Sequence, residues 1–90
     1  MAEYRLRIKA TAAREIDALD SKRDRQRIVQ RISTLSSKPR PSACEKLSGT
    51  AAMYRLRQGD YRIVYAIDDA ARIVEIVKVG HRRDVYKRAT

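Results

Sequence analysis

From Met53 to Ile67 the chain alternates polar and apolar residues in two runs, MYRLRQ and YRIVYAI, joined by Gly59 and Asp60. Period-two alternation marks strands whose side chains point to opposite faces, and a Gly-Asp pair between two such runs marks a hairpin turn. With Gly59 and Asp60 as the turn residues, Gln58 opposes Tyr61, Arg57 opposes Arg62, Leu56 opposes Ile63 and Arg55 opposes Val64. One face then collects Tyr54, Leu56, Ile63, Tyr65 and Ile67, which is a core. The other collects Met53, Arg55, Arg57, Arg62 and Val64. Like charges set across from each other cost about 0.2–1 kcal/mol, a penalty that a purely structural strand avoids. Three arginines on one face, with few acids between them, make an anion the natural guest.

The flanking pattern supplies the other elements. Glu3 to Lys9 alternates Tyr4, Leu6 and Ile8 against Arg5, Arg7 and Lys9, predicting a half-buried strand with a basic outer face. Thr11 is placed to cap a helix over Ala12 to Leu19, with Ala12, Ile16 and Leu19 on one stripe. Ser21 followed by Asp24 resembles a capping box, and Ile28, Ile32 and Leu35 fall on one side of a second helix over Lys22 to Leu35. Arg23, Arg25, Arg27 and Arg31 decorate the outside of that helix as an ordinary solvated face. Pro39 and Pro41, among small polar residues, stop it. Cys44 to Gly49 reads as a lead into the hairpin. After the hairpin Asp68 to Ala71 turns the chain, and the near-continuous apolar run Ile73 to Val79 predicts a central strand covered on both faces. With Ile67 opposite Arg72, Glu75 falls beside Val64 on the arginine face. Gly80 is expected to break that strand and turn His81 and Arg82 onto the arginine face, with Tyr86 in a short terminal helical turn. The result is an α+β fold of order β-α-α-β-β-β, with a two-helix hairpin on a mostly antiparallel four-stranded sheet.

Composition narrows the function. Ninety residues, 43% of them hydrophobic, suit one domain over residues 1–90. Lys and Arg number 21 against 11 acids, giving a formal charge of +10. Arginine outnumbers lysine 15 to 6, and its planar fork suits phosphate, which points to nucleic acid or the ribosome. With no apolar leader and no stretch approaching a membrane span, the expectation is a soluble cytoplasmic protein with no membrane partner. The single Cys44 permits no internal disulfide, and it reads as a small buried apolar residue rather than a nucleophile. One histidine, one cysteine and no clustered carboxylates make no convincing ligand set, and no glycine-rich phosphate loop is present, so neither metal nor other cofactor is expected.

Lys46-Leu47-Ser48-Gly49, Tyr54-Arg55-Leu56-Arg57, Gly59-Asp60-Tyr61-Arg62-Ile63-Val64-Tyr65 and Val79-Gly80-His81-Arg82-Arg83-Asp84-Val85-Tyr86, in this order of elements, resemble the RelE/ParE superfamily of toxins from toxin-antitoxin pairs. The resemblance covers nearly the whole chain. It implies a RelE-like toxin domain that cuts mRNA codons in the ribosomal A site, with catalytic positions at Arg55, Arg57, Arg62, Arg82 and Tyr86. It also implies a cognate antitoxin that covers the site. His81, Arg83 and Lys87 are expected RNA contacts. RelE-like members often carry lysine where this chain has Arg55 and Arg57, and an arginine does not give up its proton. If one of those lysines is the base in the family, this chain finds its base elsewhere or is slower; Tyr86 is the first choice for the base and His81 the second.

Metal-free RNA cleavage needs a base for the ribose 2′-OH, positive charge at the phosphorane, an acid for the leaving oxygen and in-line geometry. The arginines supply the charge, Arg82 is the expected donor or stabiliser at the leaving oxygen, and Tyr86 or Tyr61 is also suited to stack on a splayed base. Two other readings stay open: a ParE-like poison of DNA gyrase, which dispenses with Arg82 and Tyr86, and a basic RNA- or ribosome-binding module without chemistry.

Overall fold

The hairpin forms in the register that the alternation dictates. β3 (Met53–Gln58) and β4 (Tyr61–Asp68) pair antiparallel with Gln58 opposite Tyr61, Arg57 opposite Arg62, Leu56 opposite Ile63 and Arg55 opposite Val64. Gly59, at the first turn position, has φ +60°, the left-handed region that a residue without Cβ enters at no steric cost. This computed structural model describes residues 3–47 and 52–81.

Around the hairpin lie β1 (Arg5–Ile8), α1 (Ala10–Asp17), α2 (Lys22–Thr34), β2 (Cys44–Lys46) and β5 (Ile73–His81). The sheet order is β1-β5-β4-β3-β2, with β1 parallel to β5 and the other pairs antiparallel. Among the described residues it therefore has five strands and not four. Cys44–Lys46 forms an edge strand on β3, with Glu45 opposite Arg55. The segment expected as a terminal helical turn lies outside the described residues.

The helices cover one face. Ala12 and Ile16 of α1, Ile28 and Ile32 of α2, and Leu35 pack with Tyr54, Leu56, Ile63, Tyr65, Ile67, Val74, Ile76 and Val79. α2 starts as the sequence predicts, with Ser21 Oγ accepting a hydrogen bond from the Asp24 amide at 3.1 Å. α1 begins two residues before the predicted start: Lys9 is its N-cap without a side-chain bond, and Thr11 lies inside the helix. Ala10, the strongest kind of helix former, extends the first turn past the expected cap.

The connection after α2 is fastened to the sheet by polar side chains. The Tyr65 hydroxyl donates to the Pro39 carbonyl at 2.8 Å, and Arg40 Nε donates to the Tyr54 hydroxyl at 2.9 Å. Arg40 also grips Asp69 at 2.7 Å, and Asp69 accepts from the Tyr4 hydroxyl at 2.6 Å. Arg40, and after it Tyr4, hold the Asp69 carboxyl below its ordinary range. The β4–β5 turn, the first strand and the proline-containing connection are thereby tied at one end of the sheet.

β5 departs from the expected register. Its four-residue loop lies one position further along the chain than the alternation suggests, with Asp68 opposite Ile73, Ile67 opposite Val74 and Ala66 opposite Glu75. Arg72 takes the left-handed φ of 57° that closes this loop, and Asp68 Oδ1 accepts from the Ala71 amide at 3.0 Å. An irregularity between Val64 and Tyr65 then shifts the pairing, so that Val64 faces Lys78. Glu75 consequently sits between Ala66 and Arg7, not beside Val64. β5 is central, yet only its helix side is fully covered: Val74, Ile76 and Val79 are buried, while Ile73, Glu75 and Val77 are half-buried. No described helix is long and apolar enough to cross a membrane.

Candidate nucleic-acid interface

On the side of the sheet away from the helices, the pairings arrange side chains in cross-strand rows. Arg57, Arg62 and Gly80 form one row, and Glu45, Arg55 and Val64 form the next; Lys78 of β5 pairs beyond Val64, but its ammonium reaches Glu15 of α1. Met53, Ala66, Glu75 and Arg7 form a third. The three hairpin arginines thus come together in two adjacent rows, as the period-two pattern predicts. Opposite Arg62 the row ends on Gly80, which adds no side chain of its own.

The three arginines differ in exposure. Arg57 is exposed, Arg55 keeps 20% of its side chain accessible, and Arg62 is only 8% exposed. Arg62 Nη1 donates to the Tyr61 carbonyl at 3.4 Å. Arg55 Nη2 donates to Glu45 Oε1 at 3.0 Å, and Glu45 stands 69% exposed at the rim. A partly buried guanidinium acts on an anion more strongly than one in bulk water, because less solvent screens the pair. The arrangement can bind phosphate and can stabilise charge that develops on a phosphorus centre.

His81 is not on this face. β5 runs on through Gly80 instead of breaking, so Val79 and His81 share the helix side. His81 lies opposite Tyr61, and the two rings meet edge-on with centroids 5.8 Å apart. Together they line a cavity of about 390 Å³ with Glu15, Asp20, Ser21 and Lys78. In it Glu15 accepts from Lys78 Nζ at 3.0 Å and from the Val79 amide at 2.9 Å. Burial first, and then Asp24, push the Tyr61 phenol up from its ordinary value. The stacking role considered for Tyr61 would therefore act on the opposite side of the sheet from the arginines. Arg82, Arg83, Tyr86 and Lys87 lie outside the described residues.

Among the described residues no three His, Cys, Asp or Glu side chains group closely enough to hold a metal ion. Cys44 is half-buried against the core, consistent with a small apolar role. Glu45 was missed by sequence reasoning. Its partnership with Arg55 depends on β2, and three residues are too few to display an alternation.

A family model described as the ParE toxin of the type II toxin-antitoxin system, parDE, matches residues 6–86. Toxin RelE of Mycobacterium tuberculosis is 32% identical over 84 residues, covering 93% of this chain and 87% of that protein. A chain of the RelBE2 toxin-antitoxin complex from the same organism superposes with a TM-score of 0.78 at 31% identity, covering 90% of this chain and 100% of that one. A chain of the archaeal RelE-RelB complex from Pyrococcus horikoshii gives 0.79 at 28% identity, covering 89% and 96%.

Proposed function

The chain belongs to the ParE toxin family of type II toxin-antitoxin systems, in the RelE/ParE superfamily, and from that membership we propose an mRNA endonuclease acting in the ribosomal A site. The observation that carries the reading is the convergence of Arg55, Arg57 and Arg62 on the helix-free face of the β3–β4 hairpin. Like charges set opposite each other disfavour strand pairing, and a phosphate between such cations relieves their repulsion.

In this reading the ribose 2′-OH attacks the adjacent phosphorus. The base takes the hydroxyl proton, the P–O5′ bond breaks, and a proton is delivered to the departing 5′ oxygen. The products are a 2′,3′-cyclic phosphate and a 5′-OH, and DNA, lacking the 2′-OH, is not a substrate. Arg55, Arg57 and Arg62 hold the phosphate and stabilise the phosphorane, each loss costing on the order of 10²–10³ in rate. We assign the base to Tyr86, since cations near a phenol favour its ionised form, and to Arg82 the stabilisation of charge on the departing 5′ oxygen, which takes its proton from solvent. The position of His81 on the helix side removes the support for it as base. The ribosome supplies part of the substrate geometry.

The relatives solved as RelE-RelB complexes support a further part of the proposal, a cognate antitoxin that binds this chain. A second reading, poisoning of DNA gyrase, is favoured by the ParE name of the matching family model. The ends of the RNA products separate the readings. With programmed ribosomes we expect a 2′,3′-cyclic phosphate upstream and a 5′-OH downstream. Ends carrying a 5′-phosphate would overturn the proposed chemistry, and intact mRNA together with inhibited gyrase would establish the second reading.

A further inference from the structure

Arg55 already carries an oxygen anion. In the second row of the arginine face, Glu45 of the edge strand stands opposite Arg55 and accepts from its Nη2 at 3.0 Å. Carboxylate and phosphate take the same N–H donors of a guanidinium fork, so the two compete for Arg55. The partners are unequal. Arg55 sits on an inner strand beside Val64 with 20% of its side chain accessible, whereas Glu45 is at the rim and 69% exposed. An ion pair with so exposed a partner contributes little to stability, and stability therefore does not account for its place among arginines.

We infer that Glu45 is a specificity-determining residue: it occupies, on Arg55, the place of an RNA phosphate, and yields it to a phosphate presented in register with Arg57 and Arg62. This rests on the nuclease reading. A loose polyanion meets a repelling carboxylate at the rim and gains little from Arg55. A strand held in register gains Arg55 as soon as its phosphate displaces the acid, because positioning removes much of the entropic cost of that exchange. Glu45 thus biases the toxin against free RNA and toward RNA already oriented for it.

The test is binding of a short single-stranded RNA to the purified chain, followed by fluorescence anisotropy over a range of salt. Glu45→Gln should tighten binding about two- to fivefold, the size of an exposed ion pair. It should also steepen the plot of log affinity against log salt by roughly 0.7, since a phosphate of the strand then meets Arg55 without a competing carboxylate. Glu45→Asp should keep the wild-type slope, and adding Arg55→Gln to Glu45→Gln should remove the gain. A merely structural Glu45 would not move the salt slope. Unchanged or weaker binding by Glu45→Gln overturns the inference, provided that Arg57→Ala weakens binding and so upholds the RNA-binding face. If Arg57→Ala binds like a wild type that does bind, the nuclease reading of this face falls and the inference falls with it; if neither the wild type nor Glu45→Gln binds, the inference alone falls.

Discussion

Arg57 and Arg62 face each other across the β3–β4 hairpin, on the side of the sheet away from the helices. Arg57 is exposed and Arg62 is nearly buried, so the guanidinium that solvent shields least faces a second cation. Like charges set directly opposite disfavour the pairing of the two strands. Arg57→Gln removes one of the charges at an exposed position. It should stabilise the chain by roughly 0.2–1 kcal/mol, seen as a higher urea midpoint with an unchanged slope. RNA cleavage should fall by about 10²–10³. A less stable variant would show that Arg57 serves the fold.

The cap at the start of α2 is a local test of the helix layer. Ser21→Ala leaves the Asp24 amide without its side-chain acceptor and should cost about 1 kcal/mol. In a domain of this size that lowers Tm by roughly 4–8 °C. No change in Tm would mean that water replaces the hydroxyl.

This cap and the hairpin register were legible in the sequence for one reason: each is decided within a few neighbouring residues. Ser21 needs only Asp24, and Arg57 finds Arg62 through a two-residue turn. What depends on distant strands was not legible. The run Ile73 to Val79 is apolar nearly throughout, so nothing in it marks the shift that carries Val64 from an expected partner near Glu75 to Lys78. Reading Gly80 as a break put His81 among the arginines, but glycine permits a break without imposing one, and the strand simply continues. β2 escaped because three residues show no period, and with it went the Glu45–Arg55 pair. Of the candidate site, Arg55, Arg57 and Arg62 were placed correctly by alternation alone.

Alkaline pH tests the tyrosine core. Burial pushes the Tyr65 phenol far above its ordinary value, and burial likewise raises Tyr61. Unfolded phenols ionise near pH 10. Between that value and the higher folded ones the unfolded chain binds fewer protons, so stability is full below about pH 10 and falls as pH rises. Tyr65→Phe should flatten that decline. At neutral pH the same change leaves the Pro39 carbonyl without the Tyr65 hydroxyl as its donor and should cost about 1 kcal/mol. Urea unfolding at neutral and alkaline pH reads both effects, and an equally steep decline in the variant would contradict the assignment to Tyr65.

The central claim is that the arginine face cuts mRNA in the ribosomal A site. Primer extension on programmed ribosomes tests it directly, comparing the wild type with Arg57→Ala, Arg82→Ala and Tyr86→Phe. The account predicts wild-type cuts inside the A-site codon that each substitution weakens, Arg57→Ala by about 10²–10³. Intact mRNA with a wild type that still arrests growth, or cuts unaffected by Arg57→Ala, would contradict it.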